Sequence, residues 1–214
     1  MLRNIFCVLS AVLLTLAPGR ATAQSSLEIL LKAVNEGDTA TVESYLAKGL
    51  DPNTADAEGN TILILSARSG KLEMVSLLLD RKASVTRRSP HGDSALMMAS
   101  LKGHLPVVKL LVERGAQVNH DGWAPIHYAA FEGRAEVLNY LIEKGADKNA
   151  VGPNGYSALM LAARGGHVEA ARTLLQWDVD FAVKGPGEET ALKIALARKD
   201  AELEKLLRRA GAVD

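Results

Sequence analysis

The sequence repeats itself with a fixed spacing. Leu30, Leu63, Leu96, Ile126, Leu159 and Leu192 are separated by 33, 33, 30, 33 and 33 residues. Three positions after each stands a small residue: Ala33, Ser66, Ala99, Ala129, Ala162 and Ala195. Seven positions after stand Gly37, Gly70, Gly103, Gly133 and Gly166, with Lys199 in the sixth place. Fifteen after stand Tyr45, Leu78, Leu111, Leu141, Leu174 and Leu207. Four columns in register require a pile of similar units, each contacting only its neighbours, rather than one undivided interior.

Each column has a physical role within a unit. Thr61, Ser94, Ser157 and Thr190 precede apolar runs, and their hydroxyls can accept from orphan N–H groups at a helix start. In the fourth unit Ala124 cannot cap, but Pro125 follows it with a φ that suits the first helical position. Small pairs such as Ala129-Ala130 and Ala162-Ala163 let neighbouring helices approach closely. The glycine after them turns the chain into a second helix, whose apolar residues recur three and four apart, as in Val75, Leu78 and Leu79. Gly49, Gly115, Gly145 and Gly211 end that helix; Lys82 and Asp178 replace the glycine in two units, and a left-handed backbone at Lys82 implies mild strain. The apolar content is 48%, carried by Leu and Ala, with 4% aromatics, a balance that favours helices over a β-sandwich.

The outer units differ from the inner ones. The first carries Thr39, Thr41, Glu43 and Ser44 in its second helix, and the last carries Lys199, Asp200, Glu202, Glu204 and Lys205. Both read as solvated caps of the pile, and no further domain is expected after Asp214. The single interval of 30 places a shortage of three residues in the loop "VNHDGWAP" between units three and four, so that connection is expected to be blunt.

The stretch "GWAPIHYAAFEGRAEVLNYLIEKGADKNA" resembles an ankyrin repeat, whose pattern reads G-x-T-P-L-H-x-A-A-x-x-G-H followed by a second helix and G-A-D-x-N. "GDSALMMASLKGHLPVVKLLVERGAQVN" and "GYSALMLAARGGHVEAARTLLQWDVD" are further copies. The resemblance implies an all-α ankyrin-repeat solenoid of six helix–turn–helix units with short hairpin-like finger loops. The units span about 26–58, 59–91, 92–121, 122–154, 155–187 and 188–214. It also implies that His127 is a structural residue of the frame, that His104 and His167 serve packing and hydrogen bonding, and that partners meet the concave face.

Before the repeats, "IFCVLSAVLLTL" (5–16) follows a basic start and precedes Ala21-Thr22-Ala23, a small-x-small cleavage signature. Residues 1–23 therefore read as a secretory signal peptide, the apolar run being shorter than the roughly 20 residues of a membrane span. Cleavage would remove the only cysteine, Cys7, and leave a mature chain of net charge −2. Thiol chemistry, thiolate metal sites and a nucleic-acid partner are accordingly not expected, nor is membrane insertion after cleavage. The expected product is a periplasmic or secreted monomer.

Catalytic signatures are missing from the sequence. The five histidines show no metal-ligand spacing such as HExxH, His91 and His120 fall in the fingers, and Glu73, Glu136 and Glu169 recur at one solvated position of the second helices. Neither an enzyme activity nor a cofactor or metal is expected. The exception to the repeating frame is a set of side chains that the frame does not require. One column follows the finger glycine: Asn60, Asp93, Trp123, Tyr156 and Glu189. Another precedes the turn glycine: Arg68, Leu101, Lys102, Phe131, Glu132 and Arg164. Leu101, Trp123, Phe131 and Tyr156 come from three successive units, so stacking gathers them. With Arg68, Lys102 and Arg164 they form the candidate partner-binding surface, Trp, Tyr and Arg being the residues most enriched in interface hot spots. Alternatively, the rings pack on adjacent fingers, with Trp123 covering the gap at the short loop. The functions this leaves are a scaffold or stabiliser of an exported protein, or an inhibitor or immunity protein occluding a toxin or enzyme, with an enzyme whose site carries no recognised motif as the alternative of another class.

Overall fold

The computed structural model describes residues 18–213, with side chains from Ser26 onward. Most of the expected leader, residues 1–17, lies outside the described residues, and the expected cut after Ala23 falls in the first helix. The described chain forms six helical hairpins: α1 (Pro18–Glu36) with α2 (Thr39–Ala47), α3 (Ile62–Arg68) with α4 (Leu72–Asp80), α5 (Ala95–Lys102) with α6 (Leu105–Glu113), α7 (Pro125–Phe131) with α8 (Ala135–Glu143), α9 (Ala158–Gly165) with α10 (Val168–Gln176), and α11 (Ala191–Arg198) with α12 (Ala201–Arg209). The odd-numbered helices pack in sequence as one layer and the even-numbered helices as a second, each helix against its equivalent in the next hairpin.

Three of the four sequence columns form the interior, and the turn column lies at the surface. Leu63, Leu96, Ile126, Leu159 and Leu192 are each no more than 2% exposed, and Leu78, Leu111, Leu141, Leu174 and Leu207 are fully buried. Burying one such side chain contributes about 1.5–3 kcal/mol, and each does so partly against a neighbouring hairpin. The end hairpins follow the expected capping pattern. Val42 is the only buried residue of α2, and α12 buries only Leu203 and Leu207, whereas α8 buries five.

Helix starts behave as their hydroxyls dictate. Thr61, Ser94, Ser157 and Thr190 accept the N–H groups of Ile64, Met97, Met160 and Lys193 at 3.2–3.3 Å. The turn after each first helix does more than reverse the chain. Gly70 and Gly133 have φ of +68° and +67°, and a Cβ on either would stand 2.7 Å from His104 or 2.6 Å from His167 of the next hairpin. These close approaches build a ladder between units: the side chains of His104, Arg134, His167 and Arg198 donate to the carbonyls of Arg68, Leu101, Phe131 and Arg164. Lys82 and Asp178 are left-handed at φ +70° and +53°, as is Lys199 at +57° in the sixth turn, so three side-chain-bearing residues take the glycine's conformation.

On the opposite edge, Asn53, Asn119 and Asn149 accept the N–H of Ser84, Asp147 and Asp180, again one unit away. Three fingers close with an isolated antiparallel bridge, Ala55 with Thr61, Arg88 with Ser94 and Val151 with Ser157. No such bridge occurs in the short finger between α6 and α7 among the described residues, and this connection is blunt as its length requires.

Candidate functional site: an aromatic groove on the first-helix layer

The short finger decides where Trp123 lies. Gly122, at φ +90°, turns the chain into the extended backbone of Ala124, and Trp123 between them is half-buried. Its ring meets His127 edge-on, with centroids 5.6 Å apart and planes at 88°, and Tyr128 at 6.3 Å and 72°. The far edge rests on the next finger, where a Cβ on Gly152 would come within 3.0 Å of Trp123 Cζ3. Trp123 thus covers the gap left by the three missing residues and also presents a face outward.

Beneath it, α7 lacks a capping hydroxyl, and His127 supplies the cap. The Ala124 N–H donates to His127 Nδ1 at 3.0 Å, which leaves the proton on Nε2 to be donated to the Ala150 carbonyl at 3.0 Å in the next finger. The ring is fully buried, and burial holds its pKa below the usual histidine value against the opposing pull of its hydrogen bonds and of Asp147. His127 is a neutral strut, as its place in the frame implies.

Leu101, Trp123, His127, Tyr128 and Phe131 line an apolar cavity of about 190 Å³ between units three and four. Phe131, the last residue of α7, is 58% exposed and forms its rim. Ligand pockets run to roughly 300–1,000 Å³, so this one is sized for a single side chain. Tyr128 is the member that sequence reasoning passed over. It occupies the column of Leu65, Met98, Leu161 and Ile194, all buried and apolar beyond the end unit's exposed Lys32, and it is the one aromatic and the one half-buried residue there. That contrast was the available signal. Its hydroxyl donates to Asp93 Oδ1 at 2.6 Å, and burial together with that carboxylate raises its pKa, keeping it a donor. Arg88 stands in the same neighbourhood; burial lowers its pKa while Tyr128 and Asp93 oppose that.

The remaining candidate residues divide. Tyr156 does not line the groove: its hydroxyl donates to Glu189 Oε2 at 2.7 Å, and the Arg164 guanidinium lies 4.6 Å from the centre of its ring. Arg68 and Lys102 are exposed, with no carboxylate in ion-pair reach among the described residues. The nearby acids are engaged, Asp93 by Tyr128, Glu189 by Tyr156, and Glu132 by Arg134 at 3.5 Å. Trp177, at the end of α10, is held locally, donating its indole N–H to Asn139 at 2.9 Å.

Among the described residues no group of three or more His, Cys, Asp or Glu side chains could hold a metal ion, and no helix is long and apolar enough to cross a membrane. What the groove can do chemically is desolvate an apolar side chain beside unpaired cations.

Comparison with known proteins gives a consistent picture. A family model described as ankyrin repeats (3 copies) matches residues 30–121, 82–152 and 126–213. An L-asparaginase of Dirofilaria immitis is 42% identical over 86 residues, 40% of this chain and 15% of that protein. A putative ankyrin repeat-containing protein of Treponema pallidum is 39% identical over 92 residues, 42% of this chain and 31% of that one. Zygote-specific protein 3 of Chlamydomonas reinhardtii is 30% identical over 159 residues, 74% of this chain and 34% of its own length. The chain therefore spans about a third or less of these relatives. Among solved structures, the human ASB11 ankyrin repeat domain superposes with a TM-score of 0.80 at 24% identity, covering 86% of this chain and 84% of that one, a likeness of fold.

Proposed function

Because this chain belongs to the ankyrin-repeat family, the family model matching it from residue 30 to residue 213, we propose that it is a protein-binding module that works outside the cytoplasm and holds a resident protein against its aromatic groove. One observation carries the proposal. Phe131 stands 58% exposed at the rim of an apolar cavity and is the most exposed large apolar side chain on the described helices. An exposed ring beside a half-buried Trp and Tyr has the composition of an interface hot spot.

Export rests on the leader-like residues 1–23, and the periplasm or the extracellular medium is the compartment they indicate. The reading is one of binding rather than catalysis, and a scaffold or stabiliser is preferred to an occluding inhibitor because the groove admits one side chain and is not shaped to cover an active site. The short matched segment of the L-asparaginase brings no activity with it.

The test has two arms. N-terminal sequencing of the exported product should begin at Gln24; an intact Met1 would remove the export reading. A partner retained by the wild-type chain should be lost with Phe131→Ser, the affinity falling about 30-fold or more, the scale of a hot-spot truncation. Undiminished retention would remove the groove from the function. A partner more active in the complex than alone supports the scaffold, and one silenced by it makes the protein an inhibitor.

A further inference from the structure

Resting on the groove as the binding site, we infer that its partner is an extended acidic segment carrying one bulky apolar side chain, with carboxylates placed about four residues to either side of that anchor. The charge around the groove points there. At the ends of the first helices, Arg68, Lys102 and Arg164 are exposed without a carboxylate partner among the described residues, although Arg164 lies against the Tyr156 ring. Of the nearby acids, Glu132 pairs with Arg134 and Asp93 lies in the field of Arg88; Asp93 and Glu189 keep their charge while accepting tyrosine hydroxyls, but none of the three forms an ion pair with Arg68, Lys102 or Arg164 among the described residues. Asp121, the exposed acid of the short finger, lines a separate depression formed by residues 117–121. The groove is thus apolar at its centre and flanked by unsatisfied positive charge, a field that attracts an acidic chain and repels a basic one.

Spacing fixes the register. Leu101 and Phe131, at the two sides of the cavity, occupy the same column as Arg68 and Arg164 in the adjoining units. Packed helix axes lie about 8–10 Å apart. An extended chain advances about 3.3 Å per residue, so one unit corresponds to about three residues of partner. The cavity lies between units three and four, so Arg68 and Arg164 each stand about one and a half units from the anchor, and carboxylates about four residues before and after it reach them.

The probe is the peptide Ser-Asp-Ser-Ser-Ser-Phe-Ser-Ser-Ser-Asp-Ser, titrated into the chain and followed by 1H–15N NMR shifts. Versions with both Asp replaced by Ser or by Lys, and with Phe replaced by Ser, serve as comparisons. Expected is binding that maps to Leu101, Trp123 and Phe131. It should be about tenfold tighter than for the Lys peptide, from exposed ion pairs worth roughly twofold each, and the preference should shrink as salt rises. The double variant Arg68→Glu/Lys102→Glu should reverse the preference while Phe131→Ser weakens all peptides alike. Equal binding of the Asp, Ser and Lys peptides at the groove would overturn the acidic partner and leave the groove standing. Peptide binding indifferent to the Phe anchor and to Phe131→Ser, or no binding of any peptide, would remove the groove itself and this inference with it.

Discussion

Replacing His127 by leucine isolates one strut of the stack. Leucine fills most of the imidazole's space, so little cavity opens, but two backbone groups lose their partners: the Ala124 N–H and the Ala150 carbonyl, each held at 3.0 Å. A buried orphan costs about 1–3 kcal/mol. Ala124 is 3% exposed and its N–H has no route to water, whereas Ala150 is half-buried and its carbonyl can be partly rehydrated. Allowing for the extra apolar surface that leucine buries, the net loss is about 2 kcal/mol at neutral pH. The loss should also depend on pH. Because burial depresses the folded-state pKa, wild-type stability from this group is complete above the ordinary value of 6.5 and is lost as pH falls, the unfolded chain taking the proton first. Leucine has no such dependence. The gap between the two proteins should therefore narrow between pH 7.5 and pH 5.5, with a slope no steeper than about 1.4 kcal/mol per pH unit. Urea unfolding followed by far-UV circular dichroism at the two pH values gives both numbers. A gap under about 0.5 kcal/mol at pH 7.5, or one that does not change at pH 5.5, would refute the assignment of His127 as a neutral buried strut.

Other substitutions test the stack by the same urea measurement. Leu141→Ala, at a fully buried position of α8, should cost about 3 kcal/mol, while Arg114→Ala, which breaks an exposed 2.9 Å pair with Asp80, should cost less than about 1 kcal/mol. Gly133→Ala should destabilise by about 2 kcal/mol, since its φ is +67° and the new Cβ would press on the His167 ring; Lys199→Gly, at φ +57° in the equivalent turn, should instead stabilise by up to about 1 kcal/mol. Trp123→Ala should leave the far-UV spectrum of the stack unchanged while lowering partner affinity, as Trp123 touches the groove and the neighbouring finger but lies outside the buried columns.

The architecture was legible because stacking imposes its demands on every unit. A leucine at one place in each helix pair, a hydroxyl ahead of the first helix and a glycine after it must recur together, and six copies make the pattern visible without any single residue being decisive. Individual polar contacts were not legible, because they depend on which side chain a neighbour presents. Tyr156 stands in the same column as Trp123, yet its hydroxyl found Glu189 one unit away and drew it out of the groove. Tyr128 stands in a column of buried aliphatics, yet Asp93 holds it half-exposed. Likewise, the ladder that ties His104 and His167 to preceding carbonyls explains the turn glycines by close approach as well as by backbone conformation.

The site itself grows from the one break in the rhythm. Three residues fewer in the finger before α7 leave it without the bridge that closes three of the others. The capping hydroxyl present at four of the first helices is absent there too, and unit three shows the ordinary solution, Ser94 accepting the Met97 N–H. In unit four the His127 N–H turns instead to the Ala124 carbonyl, while the His127 ring accepts the Ala124 N–H and ties α7 to the following finger through Ala150. Trp123 sets its ring edge-on to that imidazole and to Tyr128, and the short finger does not fold over them. A third finger of full length would stand where the Trp123 ring now rests on Gly152. Restoring three residues to the 118–122 segment should therefore displace Trp123 and abolish peptide binding at the groove while leaving the buried columns, and the stability they supply, unchanged. A lengthened finger that still binds would mean that the groove owes nothing to the deletion.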